Sequence, residues 1–166
     1  PEVLSVAASN PIYTDADAGS VTFTVTFSEV MDTNTNPDLT FGTDVESSLS
    51  FDSGDWSADG TVYTATYSFV DDNVDLRDIT VDVDGAKDAA GNIQQPYNAD
   101  VEFSIDTLNP EVLSVAASKP VYNDDDAGSV TFTVTFSEVM DTNTNPDLAF
   151  GTDVESSLSF DSGDWS

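Results

Sequence analysis

The residues best suited to chemistry in this chain are carboxylates and amides, gathered in short runs rich in turn-forming residues. TDADAG occupies 14–19, DDNVD occupies 71–75 and DAAGN occupies 88–92. Glu29 closes the triplet FSE, and Asp106 precedes the segment TLNP. Such oxygen-rich runs suit a hard divalent cation. Calcium takes six to eight oxygen ligands in flexible geometry, whereas magnesium keeps more of its waters. The candidate ligands are Asp15, Asp17, Asp71, Asp72, Asp75, Asp88, Asn92, Glu29 and Asp106. The run TDADAG resembles the start of an EF-hand loop, but the twelfth position of such a loop is Thr26 and not glutamate. A looser calcium-binding turn and a plain solvated loop are the readings left for it. Asp88 and Asn92 have a second reading as turn residues, with Gly91 supplying a positive φ. Glu29 can equally be an exposed strand end.

Other chemistries are poorly served. The 166 residues contain no histidine, and the composition shows no cysteine. Thiolate metal sites, disulfides and the commonest general base are therefore absent, and no Ser/His or Cys/His arrangement can form. Paired carboxylates can cleave glycosides, but they need a cleft and one acid with a raised pKa. Acids confined to turns mark no such pair, so no enzymatic activity is expected. An isopeptide crosslink through Lys87 or Lys119 is disfavoured at Lys119, because Asn10 stands at its counterpart. The chain carries 32 acidic against three basic residues, a formal charge of -29. Phosphate binding needs a basic face, so nucleic acid is excluded as a partner and an anionic membrane is disfavoured. No apolar run is long enough to cross a membrane. Charge of this density also opposes compaction, which a bound cation would offset.

The elements that must position these loops read as strands. Val21, Phe23, Val25 and Phe27 alternate with Thr22, Thr24 and Thr26, the period-two mark of a strand with one buried face. The same pattern predicts strands near 2–8, 20–29, 38–42, 47–52, 61–69, 78–84 and 99–105. No segment has convincing helical periodicity. About seven short strands separated by turns predict an all-β, immunoglobulin-like β-sandwich. The threonine stripe reads as a solvent face of high β propensity.

Residues 1–57 return almost unchanged as 110–166, a period of 109 residues with only five differing positions. These are Asn10/Lys119, Ile12/Val121, Thr14/Asn123, Ala16/Asp125 and Thr40/Ala149. A period of domain length predicts tandem like domains: a complete repeat over 1–109 and a truncated second copy over 110–166.

The motifs FSEVMD, TVYTATYSF, GAKDAAGN and FSIDTLNPEVLSV, in this order and spacing, resemble the bacterial immunoglobulin-like extender repeats of giant RTX-type surface adhesins. The resemblance covers the whole repeat. It implies sandwiches strung end to end, junctions stiffened by calcium, type I secretion and display on the bacterial surface. Asp106 resembles that family's junction aspartate.

Up-down alternation of seven strands places loops 29–38, 53–60 and 85–98 at one pole. Loops 10–19, 43–46, 70–78 and the exit at Asp106 lie at the other. In an array the acidic loops of one repeat would converge on the next, facing Glu138, Asp141 and Asn143, with Asn109 and Glu111 between. Carboxylates within a Debye length (~8 Å at physiological salt) would repel unless a cation bridged them. Pro110 fixes one φ and biases Asn109 toward extended backbone. The expected function is a structural spacer projecting an adhesive region. The alternative is a glycan- or protein-binding module using Trp56, Tyr97 and Tyr13. Residues 58–109 could complete either near-identical half, so exposed strand edges predict swapped or edge-paired assembly of this chain.

Overall fold

The alternation in the chain is carried directly into burial. In the strand Gly19–Phe27, Val21, Phe23, Val25 and Phe27 are buried while Thr22, Thr24 and Thr26 are half-buried. The computed structural model describes residues 1–151, 154 and 157–166. They divide into two compact units, Pro1–Asn109 and Pro110–Ser166.

The first unit contains β1 (Val3–Ala8), β2 (Ile12–Tyr13), β3 (Gly19–Phe27), β4 (Asp38–Phe41), β5 (Leu49–Trp56), β6 (Val62–Phe69), β7 (Asp75–Asp84) and β8 (Val101–Asp106). One sheet has the order β1-β3-β6-β5 and the other β2-β8-β7-β4. All pairings are antiparallel except that of β2 with β8. The two sheets form a β-sandwich, and their facing aromatic residues make the core. Phe23 of the first sheet packs on Phe103 of the second with ring centroids 5.1 Å apart, and on Tyr67 of its own sheet at 5.5 Å. Chain direction along these strands brings loops 9–18, 42–48 and 70–74 to the pole where β8 leaves the unit, and 28–37, 57–61 and 85–100 to the opposite one.

Three local features depart from the strand pattern predicted by alternation. The 10–19 segment contains an eighth strand, β2, followed by a single 3-10 turn at Asp15–Asp17. Tyr13 draws the chain inward there: its ring is fully buried, and its hydroxyl lies 2.9 Å from Ser9 Oγ. β5 runs on to Trp56 rather than ending at 52, because Trp56 packs on Phe27 and Tyr63 at 5.4 and 5.2 Å. β7 begins at Asp75 rather than 78, since Asp75 and Leu76 still pair with Asp106 and Ile105.

The second unit takes a different form from nearly the same residues. Its strands are β9 (Val112–Ala117) and β10 (Phe132–Phe136), paired antiparallel. Residues 147–150 and 158–165, the counterparts of β4 and β5, are not strands. In the first unit these strands pair with β7 and β6, which lie in 58–109, and 110–166 contains no counterpart of that stretch. The apolar face of the β9–β10 pair is correspondingly bare: Val6 is 6% exposed, whereas its counterpart Val115 is 57% exposed.

The same substitution should therefore cost different amounts in the two units. Phe23→Ala should destabilise the first unit by ~3–5 kcal/mol. Phe132→Ala should leave the main urea-unfolding transition unmoved. An equal loss from Phe132→Ala would show that the second unit had closed a core of its own.

Candidate functional site at the exit of the first unit

β7 and β8 end side by side, and their register sets Asp75 directly opposite Asp106. Like charges facing each other across a strand pair repel. Arg77 lies between them. Its Nε and Nη2 donate to Asp75 Oδ2 at 3.0 and 2.8 Å, and Nη2 lies 3.9 Å from Asp106 Oδ2. The hydrogen bond to Asp75, then the charges of Asp75 and Asp106, raise the pKa of Arg77 further. The guanidinium is 67% exposed, so its effect is to relieve repulsion locally and not to anchor the fold.

The chain beyond Asp106 is held by uncharged groups. Thr107 is 2% exposed; its N–H donates to the Val74 carbonyl at 2.8 Å, and its Oγ1 accepts from Val74 N–H at 3.0 Å. Asn73 Oδ1 accepts from both Asn109 N–H (2.8 Å) and Asn109 Nδ2 (2.9 Å). Asn73 has φ of 56°, a left-handed conformation that asparagine tolerates. Asp71 Oδ1 steadies it by accepting from Asn73 N–H at 2.9 Å. The 70–74 loop thus grips the linker through residue 109.

The other candidate residues serve their own loops. Asp17 Oδ1 accepts from Asn10 Nδ2 at 2.7 Å, and Oδ2 accepts from Thr14 N–H at 2.9 Å. Asp15 and Asp72 are exposed. Asp88 Oδ1 accepts from Ala90 N–H at 2.9 Å and Asn92 N–H at 2.8 Å, while Oδ2 accepts from Asn92 Nδ2 at 2.6 Å. With Gly91 at φ 88°, Asp88 and Asn92 act as turn residues. Glu29 Oε1 lies 3.0 Å from the Pro1 nitrogen, and Glu111 N–H donates to Ser137 Oγ at 2.8 Å. One carboxylate oxygen of Glu138 is buried without a hydrogen-bond partner among the described residues. The substitutions between copies keep the 10–17 turn: Lys119 reaches Asp126 where Asn10 reaches Asp17, and Asn123 Oδ1 accepts from Asp125 N–H at 2.9 Å.

Among the described residues, no three acidic side chains converge into a group able to hold a metal ion. A calcium ion needs six to eight oxygens. The exit pole supplies two adjoining carboxylates, Asp75 and Asp106, which already face Arg77. The expected convergence of Asp15, Asp17, Asp71 and Asp72 on that pair is not what the unit presents, because Asp17 and Asp71 are engaged in their own turns. The aromatic candidates are placed differently from one another. Tyr13 is core, and Trp56 is half-buried against Phe27 and Tyr63. Tyr97 is half-buried on the core edge, its pKa raised by burial and then by Glu102 and Asp100.

No family model, curated protein or solved structure matches the chain. Arg77, Asn73 and Thr107 were not among the residues expected at this pole. A signal for Arg77 exists in DLRD, where period-two alternation puts 75 and 77 on one strand face. Asn73 and Thr107 have no such signal, since their pairing spans 33 to 36 residues.

Two outcomes follow from these contacts. Asn73→Gly keeps the left-handed backbone and removes the acceptor, so hydrogen exchange at the Asn109 amide should speed up while Thr107 stays protected. Asp88 is held below its ordinary pKa of 3.8, chiefly by hydrogen bonds from Asn92. Its contribution is complete above the unfolded value and fades as pH falls through the lower folded one. Asp88→Ala should therefore lower the melting temperature at pH 7, and the gap should begin to narrow only below about pH 4 and shrink further as the pH falls.

Proposed function

We propose that the first unit is an immunoglobulin-like spacer domain, one of a tandem series in a secreted bacterial surface adhesin, that holds a distal adhesive region away from the cell. The observation that carries this reading is the grip of the 70–74 loop on Thr107 and Asn109. A domain whose task is to transmit direction needs its outgoing linker fixed to its own body, and here the fixing reaches within one residue of the next copy. The near-identity of the two copies supports the same reading, because a repeated mechanical element needs no variation of site.

Stiffening by calcium is the second part of the proposal. It rests on the adhesin resemblance and on the density of acidic loops, not on a completed ligand set. Within the first unit, Asp75 and Asp106 are the carboxylates in position to serve, and an ion there would have to displace Arg77. The remaining oxygens would have to come from elsewhere. Of the three aromatic candidates of the binding-module alternative, Tyr13 is buried in the core.

Chelation separates the two parts. EDTA should lower the melting temperature and calcium should restore it; an unchanged melting curve would remove calcium from the account while leaving the spacer. Small-angle scattering from a protein of four tandem repeats should give a rod-like profile with calcium. A profile of freely jointed domains in calcium would refute the spacer itself.

A further inference from the structure

The two long sides of the sandwich differ. On the β1 side, the edge is accompanied by the segment through Gln95, whose N–H donates to the Pro1 carbonyl at 2.8 Å, and Tyr97 packs on the core there. On the opposite side, β4 and β5 each end their sheet, and among the described residues no strand pairs with their outer edges. Between them lies an open groove of about 800 Å³. Its aromatic lining is Phe41, Phe51, Tyr63 and Tyr67. Phe51, on the end strand of its sheet, is 57% exposed, and it stands edge-on to Tyr67 at 5.4 Å. Further along β5 a Cβ at Gly54 would collide with the Tyr63 hydroxyl.

The rim of the groove is acidic: Asp38, Asp44 and Glu46 line it, and the unit's two basic residues, Arg77 and Lys87, do not. Tyr67 is pushed up to about 12, first by burial and with a contribution from Asp38, and Asp38 also raises Tyr63. Asp38, Tyr63 and Tyr67 all line the groove. Aromatic faces and carboxylates share one preference, for a cation with an apolar stem. Free strand edges beside them offer backbone donors and acceptors to an extended chain.

We infer that this groove docks a basic, extended segment of a partner protein, with a lysine or arginine side chain lying over the aromatic floor and its backbone along the free edge of β5. The inference rests on shape and charge at the β4–β5 side and is independent of the spacer reading. The groove residues from 36 to 51 recur in the second copy with one change, Thr40 to Ala149, while Tyr63 and Tyr67 lie in the stretch that occurs once in this chain.

The probe is a fluorescein-labelled nonapeptide alternating lysine with valine, compared with its glutamate counterpart, titrated into the full chain. Only the lysine peptide should bind, and backbone amide shifts in the wild-type protein should concentrate in 38–56. Phe51→Ala, which leaves the charge unchanged, and Asp38→Asn should each weaken binding at least about tenfold. Asp100→Asn, which removes one charge beside Tyr97, should change it less than about twofold. Shifts spread over all acidic loops, or Phe51→Ala binding as tightly as wild type, would overturn the proposal and leave only attraction between net charges. The shift map reads the same question should Phe51→Ala fail to fold.

Discussion

The structure depends on closing one aromatic core between two sheets, each of which draws strands from both halves of the repeat. Phe23, on a strand from the first half, meets Phe103 and Tyr67, both from the second. Burial of such rings is the main favourable contribution available to a chain of this size, because apolar area removed from water dominates folding. Everything at the poles is positioned by that contact. β7 and β8 are aligned by Ile79, Val81, Phe103 and Ile105, all buried, and only then do Asp75 and Asp106 come to face each other.

The heavy negative charge is accommodated mainly by where it sits. The buried core is apolar, and most of the acids lie in loops or at strand positions facing water. Several loops also convert a carboxylate into a structural acceptor: Asp17, Asp71 and Asp88 each take hydrogen bonds from backbone amides within four residues. That use lowers the electrostatic cost of the acid and stiffens the turn together. At the exit pole the chain adds its single arginine. The result is a linker held by Thr107, Asn73 and Asn109, with Arg77 moderating the repulsion beside it.

Much of the fold was legible because the alternation is long and regular. VTFTVTF and TVYTATYSF could only be half-buried strands, and up-down order then assigned each loop to a pole. What could not be read were contacts that depend on who lies opposite. Tyr13 sat in a run of turn residues, and only the cavity beside Phe69 and Phe103 makes it a core residue and draws β2 into the sheet. The acids looked alike in the sequence. Hydrogen-bond geometry separates Asp88, which closes a turn, from Asp75, which pairs with an arginine.

The repeat gives the sharpest division between what sequence and tertiary structure decide. Sequence alone set the strand tendency of 3–8 and 23–27: the same residues pair again in the second copy as β9 and β10, because both partners lie within the repeated stretch. It also set the 3-10 turn, present in both copies through local side-chain caps. Sequence did not decide β5. Leu49–Trp56 is a strand, and the identical residues 158–165 are not. A strand needs hydrogen bonds from a neighbour and an apolar face to cover, and β6 supplies both only to the first copy.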